Sequence, residues 1–377
     1  MNMRLGMEQS GKTRRADHLL VASIFLLTGI GLVTLYSSSY AFSERFFGNA
    51  LHFISRQLVL AAVGMVLFFV ASRIDLEALR KWIKPMVIIT MTLCVLTFVP
   101  GIGVMRNGAT RWIHIGSSTY QPSELVKLVL PFYLAHIFGK KQDSLDSFSS
   151  GMLPPAIVTV IFFTLIYLQN NFSTAVFVLL NALVIFYMAG FRMRFFLGAA
   201  AVFLPLSAYF ILTKDHRLRR FISFFKPEWD PLGSGYQVRS SLLTVSSGGF
   251  WGKGIGQGTR KIASVPEIHS DFIFSSFSEE AGFIGVFLVF SLFAVFGFSA
   301  YRSALRNSDP FRRLLSFGLT TAILTQILLN TAVVVGAIPA TGVPLPFFSA
   351  GGSSLATTLV MTGLVVNNSR YAGAANV

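Results

Sequence analysis

The chain has 377 residues, of which 53% are hydrophobic, 14% are aromatic and only 12% are charged. A soluble globular domain carries about 25% charged residues, so the composition excludes a disordered chain, a coiled coil and most soluble enzymes. Together with a mean hydropathy of +0.64, it is typical of a polytopic membrane protein. The net charge of +15 would ordinarily suggest nucleic-acid binding, but its distribution along the chain argues against that.

Long uncharged runs predict the membrane helices, since a span needs about 20 mostly apolar residues. Seven helices are predicted before the largest polar segment, at 19–43, 57–72, 85–105, around Lys127, twice within 147–191, and at 195–213. Three follow it, at 281–301 and twice within 314–369. The prediction is therefore an all-α polytopic membrane protein with ten transmembrane helices. Its single membrane domain covers 19–370, between tails 1–18 and 371–377, and one large extracytoplasmic loop, 214–271, joins helices seven and eight.

The basic residues predict the orientation of this domain. With the N-terminus in the cytoplasm, the cytoplasmic tails and loops hold 17 Lys and Arg residues, against four in the short outer loops. Such a bias places both termini in the cytoplasm. The protein is thus expected in the cytoplasmic (inner) membrane. The basic residues would face anionic membrane lipid, and no nucleic-acid partner is expected.

The large outer loop begins with a basic and aromatic run that contains Arg219 and Arg220. This run fits an amphipathic helix in the membrane interface, or a clamp for the pyrophosphate of a lipid-linked substrate. A Gly-rich stretch follows at 248–258, but it is no P-loop because Gly254, and not Ser or Thr, follows Lys253. Near the end of the loop, Asp271 stands just before an apolar run. It fits either a helix N-cap or a general base at the membrane face.

The loop before helix four carries the next unusual residues. Arg111 lies in that loop, and Pro122 suits the first turn of the helix. Glu124 and Lys127 are three residues apart, so they share a helical face. A charge near the membrane centre costs about 2.5–3.5 kcal/mol. The pair is therefore either an ion pair that packs helices or part of a polar cavity open to the outside.

The last outer loop, 339–354, has three prolines and no charge. Irregular backbone at membrane depth must be buried in protein or line a cavity. This loop is therefore either a re-entrant cavity wall, with Ser353 on it, or a plain rigid connector.

Taken together and in this order, these motifs resemble the SEDS family of shape, elongation, division and sporulation proteins. Segments 36–39 and 251–256 are more similar to its FtsW members than to its RodA members. The resemblance rests on 108–113 (Gly-Ala-Thr-Arg-Trp-Ile), 121–124 (Gln-Pro-Ser-Glu) with Lys127, 230–237 (Asp-Pro-Leu-Gly-Ser-Gly-Tyr-Gln), 266–274 (Pro-Glu-Ile-His-Ser-Asp-Phe-Ile-Phe) with Glu279-Glu280, and 344–346 (Pro-Leu-Pro) with 351–354 (Gly-Gly-Ser-Ser).

The resemblance implies an inverting peptidoglycan glycosyltransferase that polymerises lipid II at the outer face of the cytoplasmic membrane, for septal synthesis in cell division. Asp271 would be its catalytic base. The resemblance further implies lipid II and undecaprenyl-pyrophosphate-linked glycan as substrates, and a class B penicillin-binding transpeptidase and other divisome proteins as partners. The substrate-binding candidates are Arg111, Glu124, Lys127, Arg219, Arg220, His269 and Ser353.

No cofactor is required by the sequence and no dedicated metal site is evident, although a divalent cation, Mg²⁺ or Mn²⁺, could assist by bridging phosphate oxygens. The chain departs from the family at 169–174, where Gln-Asn-Asn-Phe-Ser-Thr replaces Gln-Pro-Asp-x-Gly-Thr, so a carboxylate is missing there. Two alternatives remain open: a lipid II flippase or other transporter, and a noncatalytic scaffold of the division machinery.

Overall fold

The computed structural model describes residues 16–106, 108–116, 118–140, 151–230, 233–259 and 269–371. The predicted tails at 1–18 and 371–377 lie almost entirely outside this part, and so does 260–268 of the predicted outer loop. The described chain is mostly helical, as predicted.

Thirteen α-helices occur in the described ranges. The first eight are α1 (His18–Phe47), α2 (His52–Ala71), α3 (Leu76–Arg80), α4 (Ile83–Leu96), α5 (Pro122–Lys140), α6 (Leu153–Leu168), α7 (Phe172–Met188) and α8 (Met193–Leu212). The other five are α9 (Asp215–Phe225), α10 (Ser234–Ser247), α11 (Ile273–Leu305), α12 (Pro310–Val334) and α13 (Gly352–Ser369), and a 3₁₀ turn occupies Pro227–Trp229.

Five of these helices, α1, α2, α8, α11 and α12, are long and apolar enough to cross a membrane by length and composition. Helices α4, α6 and α7 are apolar but shorter. With α5 and α13, they lie where the sequence predicted ten spans. The chain is thus a multi-pass membrane protein, while the number of ten spans stays a prediction.

Helix α12 lies at the centre of the bundle, where it packs against α5, α7, α11 and α13. Helix α2 packs along α13, and α1 packs along α11. Helix α8 lies at the periphery, because its apolar stretch buries none of its residues and its main neighbour is α9. The core side chains therefore come from the helices around α12, which also surround the site described below.

The all-α prediction is wrong for residues 103–120, which form a small antiparallel sheet in the order β1 (Gly103–Arg106), β2 (Ala109–Ile115) and β3 (Ser118–Tyr120). Along β2, Ala109 and Ile113 are buried while His114 is exposed, which is the alternation of a half-buried strand. The predicted third helix at 85–105 ends at Leu96, because the apolar residues that follow belong to this sheet and its connection.

The Gly-rich segment supports a break in α11. Gly282 has non-helical backbone angles (φ 63°, ψ −169°) inside that helix. The N–H groups of Lys253 and Gly254 donate to the carbonyls of Glu279 and Glu280, each at 3.0 Å. The Lys253 ammonium also forms an ion pair with the buried Glu279 carboxylate at 2.6 Å. This segment therefore has a structural role beside the short helical stretch that follows Asp271.

The last loop enters the bundle as a re-entrant segment. Between α12 and α13 its side chains Val343, Leu345, Phe347 and Phe348 are buried. The backbone of Phe347 lies directly against Gly31, near the middle of α1, where a side chain larger than hydrogen would clash. The loop therefore reaches about halfway along α1 and forms part of a cavity wall, as one of the two sequence-based alternatives predicted.

Candidate active site

A cavity of about 1350 Å³ lies at the end of the bundle that carries the β-sheet. Its walls come from α2, the sheet and the start of α5, the turn between α6 and α7, α9, the segment 269–272, and the re-entrant loop with the start of α13. Segments far apart in sequence therefore meet in one space of the size expected for a substantial organic ligand.

Asp271 lines this cavity just before α11. The helix begins at Ile273 with Phe272 at the N-cap position, so Asp271 is not the helix cap. The Ser270 hydroxyl donates to Asp271 Oδ1 at 3.1 Å. A Cβ placed on Gly342 would lie 3.4 Å from Oδ2, so the backbone of the re-entrant loop lies close beside the carboxylate. The helix-cap alternative for Asp271 is therefore wrong, and its role as a general base stays a prediction.

His269 lines the cavity two residues before Asp271. Its ring lies 4.4 Å from that of Phe53 and 5.1 Å from that of Phe42, measured between centroids. Burial lowers the pKa of His269 from 6.5 to about 4, because the charged imidazolium is disfavoured away from water. His269 is therefore neutral near pH 7, so it contributes a hydrogen-bonding or packing group and no charge.

Arg111 projects from β2 into the cavity. Its Nη2 donates to the carbonyl of Asn170 at 3.2 Å, and the Asn170 amide donates in turn to the carbonyl of Gly108 at 2.9 Å. Burial lowers the pKa of Arg111, the nearby Arg220 lowers it further, and Asp271 partly offsets both. Asn170 thus connects the sheet to the turn between α6 and α7, at the point where the chain departs from the family pattern.

Glu124 and Lys127 form a buried ion pair across one turn of α5, with 2.7 Å between Lys127 Nζ and Glu124 Oε1. Glu124 lines the cavity, whereas Lys127 lies behind it and also donates to Gln326 Oε1 at 3.2 Å. Ser353 also lines the cavity, beside the start of α5, where its hydroxyl accepts from the N–H of Gln121 at 3.4 Å. The pair therefore joins helices and one of its members faces the cavity, while the opening of this cavity to the outside stays a prediction.

Helix α9 places its basic residues unequally. Arg220 lines the cavity and approaches the carbonyl of Ala340 at 3.5 Å. Arg219 is exposed, and it is not among the described residues that line the cavity. Arg217, which the sequence analysis passed over, lines the cavity and is only 7% exposed. The sequence shows that α9 is amphipathic, but it does not show which other elements cover each face of the helix, so Arg217 could not be recognised from the sequence.

Aromatic side chains hold Arg217 in place. Its guanidinium carbon lies 4.8 Å from the ring centroid of Tyr167 and 5.1 Å from that of Phe172. Its Nη1 donates to the carbonyl of Phe210 at 3.3 Å. Its buried Nε has no hydrogen-bond partner within the described ranges. Because a planar, weakly hydrated guanidinium stacks well on aromatic rings, Arg217 is an ordered cation that lines the cavity.

The charge of the described cavity lining is mainly positive. Only two carboxylates line it, and Lys127 already neutralises that of Glu124. Low-dielectric walls that carry charge of one sign focus the electrostatic field, so the cavity suits an anionic ligand beside the Asp271 carboxylate. The cations that line it are Arg56, Arg111, Lys214, Arg217 and Arg220.

Comparison with known proteins assigns the chain to a family. The family that groups FtsW, RodA and SpoVE, described as "Cell cycle protein", matches residues 17–373. The chain belongs to this family. The resemblance to SEDS proteins is therefore confirmed over nearly the whole chain.

Two relatives show the extent of the match. A Geobacter protein described as "Probable peptidoglycan glycosyltransferase FtsW" is 37% identical over 360 residues, which are 95% of this chain and 98% of that protein. Stage V sporulation protein E of Bacillus subtilis is 36% identical over 360 residues, covering 96% of this chain and 98% of its own. The similarity thus spans full-length members of the family.

Solved structures share the fold. A chain from a study described as "Structural coordination of polymerization and crosslinking by a peptidoglycan synthase complex" matches with a TM-score of 0.77 and 27% identity, covering 94% of this chain and 98% of that one. Rod shape determining protein RodA of Thermus thermophilus matches with a TM-score of 0.70 and 26% identity, over 95% and 97% of the two chains. The arrangement of helices around the cavity is thus that of an FtsW/RodA/SpoVE protein.

Proposed function

We propose that this protein is an inverting peptidoglycan glycosyltransferase that polymerises lipid II at the outer face of the cytoplasmic membrane, for septal synthesis in cell division. The observation that carries the proposal is the placement of Asp271 at the wall of a cavity lined by five cations. The hydroxyl of the acceptor sugar needs a base to take its proton, and the pyrophosphate leaving group needs positive charge to stabilise it. The relatives named as peptidoglycan glycosyltransferases support the same activity.

The cations would bind the pyrophosphate of the lipid-linked donor. Arg111, Arg217 and Arg220 line the cavity from two different elements, and their guanidinium groups match phosphate oxygens in planar, bidentate geometry. These donors would stabilise the charge that develops as the pyrophosphate leaves. Lys127 would act behind them by holding the Glu124 side chain in place at the cavity wall.

The transfer would proceed in one displacement. Asp271 accepts the proton of the 4-hydroxyl of the acceptor's N-acetylglucosamine, and that oxygen attacks the anomeric carbon of the donor's muramyl sugar. The new glycosidic bond forms as the bond from this carbon to the phosphate oxygen breaks, with inversion. Undecaprenyl pyrophosphate departs with the bonding electron pair, and the proton remains on Asp271 until it passes to solvent.

The location follows from the same chemistry. Ten spans with both termini in the cytoplasm would place the cavity outside, where no nucleotide sugar is available. A donor that carries its own pyrophosphate meets that requirement. The excess of basic residues in the predicted cytoplasmic loops supports this orientation.

A class B penicillin-binding transpeptidase is the proposed partner, because it would cross-link the strands that this protein makes. The structural neighbour described as part of a peptidoglycan synthase complex supports such a pairing. Other divisome proteins would bring the pair to the septum.

A divalent cation, Mg²⁺ or Mn²⁺, is proposed only as a companion of the pyrophosphate. The described residues contain no group of three or more His, Cys, Asp or Glu side chains that could hold a metal ion. Within the described ranges the side chains therefore do not form a dedicated site, and no step above depends on a metal. Chelation with EDTA, followed by addition of Mg²⁺ or Mn²⁺, tests this point.

The experiment that tests the function uses proteoliposomes containing the purified protein and fluorescent lipid II, with and without the cognate transpeptidase. Reaction products are separated on a polyacrylamide gel, and transbilayer movement of lipid II is followed by quenching in the same vesicles. We expect a ladder of glycan strands that is longer with the transpeptidase. Movement of lipid II without strands would support the flippase, and neither result even with the transpeptidase would support the scaffold.

A further inference from the structure

A buried amide on α12 supports the backbone of Asp271. The Nδ2 of Asn330 donates to the carbonyl of Asp271 at 2.8 Å and to the carbonyl of Val343 at 2.8 Å. Asn330 is only 1% exposed, and it is not among the described residues that line the cavity. One side chain of the central helix thus joins the segment before α11 to the re-entrant loop.

A buried hydroxyl supports the preceding residue in the same way. Ser349, on the re-entrant loop, donates through Oγ to the carbonyl of Ser270 at 2.7 Å and accepts from the N–H of Leu345 at 2.7 Å. The carbonyl of Ser349 accepts from the amide of Gln57 on α2 at 3.2 Å. The carbonyls of two consecutive residues, 270 and 271, are therefore each fixed by a side chain from a different element.

A second amide on α12 ties the same loop to the buried ion pair. Gln326, four residues before Asn330 and so on the same helical face, accepts from Lys127 Nζ and donates to the carbonyl of Pro344 at 2.8 Å. Asn330 holds the neighbouring carbonyl of Val343. Helix α12 therefore contacts Asp271 and Lys127 directly, and through the same two amides it holds residues 343–344 of the re-entrant loop.

Such support matters because the segment that carries Asp271 has little regular structure of its own. Helix α11 starts at Ile273 without a side-chain cap. Without outside hydrogen bonds, the direction of the Asp271 side chain would vary with the backbone of this turn. A displacement of about 1 Å of a reacting group can reduce a rate by about 10²-fold.

We propose that Asn330 and Ser349 are positioning residues that hold the Asp271 carboxylate in its reactive orientation by fixing the backbone carbonyls of Asp271 and Ser270. The proposal rests on the glycosyltransferase function proposed above. Neither residue is among the described residues that line the cavity, so the binding of lipid II should not depend on them. Their loss therefore reduces the rate of the chemical step and leaves substrate affinity unchanged.

The test replaces each residue and pairs it with a matched control. Asn330→Asp keeps the shape of the side chain but replaces its donor group with a carboxylate. The control is Asn367→Asp, because Asn367 also donates to two backbone carbonyls, those of Ala71 and Ile74 at 3.0 and 2.7 Å, near the opposite end of α13. Ser349→Ala is paired with Ser241→Ala, since Ser241 also donates to a carbonyl of another element.

Initial rates of polymerisation are measured against lipid II concentration, and thermal melting is measured for each variant. We expect Asn330→Asp to lower kcat by about 10- to 100-fold and Ser349→Ala by about 3- to 10-fold, with KM within about twofold of wild type. Both controls should match their partners in melting temperature and keep wild-type kcat.

Equal kcat in a test variant and its control, at equal melting temperature, would overturn the proposal, and so would a rise in KM with unchanged kcat. If Asn330→Asp does not fold, the Ser349→Ala and Ser241→Ala pair decides the question. Absence of strands from the wild-type protein would instead count against the proposed function, so the two failures are distinguishable.

Discussion

Removal of one member of the Glu124–Lys127 pair should destabilise the protein more than removal of both. The two side chains are 5% and 1% exposed, and their charged atoms are 2.7 Å apart. At that distance and an effective dielectric constant of about 20, their attraction is about 6 kcal/mol, which offsets the cost of taking both charges out of water. A single replacement leaves the other charge buried and unpaired.

The expected magnitudes follow from that asymmetry. Lys127→Met or Glu124→Gln alone should lower the free energy of unfolding by about 3–5 kcal/mol. The double variant removes both charges, and it should lie within about 2 kcal/mol of wild type. Lys127→Met also removes the donor to Gln326 Oε1 and the cation 5.5 Å from the Phe177 ring centroid, so it should be the more damaging single change.

The assay is thermal melting of the four proteins in the same detergent, analysed as a double-mutant cycle. The order of melting temperatures should be wild type, then the double variant, then Glu124→Gln, then Lys127→Met. The expected interaction energy would be refuted if both single variants had the wild-type melting temperature. It would also be refuted if the loss of stability in the double variant equalled the sum of the losses in the two single variants.

Three further predictions concern single residues of the cavity. Arg217→Gln should lower kcat/KM for lipid II by about 10- to 100-fold, since a hydrogen bond to a charged group contributes about 1.5–3 kcal/mol. As a control, Arg219→Gln on the exposed side of the same helix should change kcat/KM by less than about threefold. Equal losses in the two variants would contradict the placement of Arg217 at the substrate. The His269 pKa of about 4 lies below its ordinary value of 6.5, so between these values the folded state binds fewer protons than the unfolded state, and stability should fall as pH drops from 6.5 towards 4. The substitution His269→Gln should reduce that fall in melting temperature. An unchanged dependence of melting temperature on pH would show that His269 does not cause the fall. Gly342→Ala should lower both melting temperature and kcat, because φ is +70° and the added Cβ would approach Asp271 Oδ2; Gly101→Ala, with φ +86° and open space, should affect melting alone.

The positions of the long helices could be predicted because apolar runs are a property of the chain itself. Helix α5 begins at Pro122, as the sequence indicated, since proline suits the first turn of a helix. Strand β1 was missed because it adjoins the apolar run of α4, and a short apolar strand resembles the end of a buried helix. Strands β2 and β3 lie in the segment that the sequence analysis interpreted as a loop. Element type is thus least certain where two apolar elements meet.

Some charged residues of the candidate site could be found from the sequence, whereas a neutral one could not. The charges of Asp271, Arg111 and Glu124 are unusual in an apolar chain and marked them as candidates, while the family resemblance supplied their expected roles; all three line the cavity. Asn330 gave no such signal, because a neutral amide within an uncharged run is compatible with any packed helix. Its hydrogen bond to Asp271 spans 59 residues of sequence, and only the folded structure reveals it.

A comparison of three purified proteins tests whether Asp271 is the base of a lipid II polymerase. Purified wild type, Asp271→Asn and a control, Glu228→Gln, which alters an exposed carboxylate of the outer loop, are assayed together for glycan strands from lipid II, with melting temperatures measured in parallel. We expect strands from wild type and Glu228→Gln and none from an equally stable Asp271→Asn. Strands from Asp271→Asn at the wild-type rate would contradict the role of Asp271 as the base.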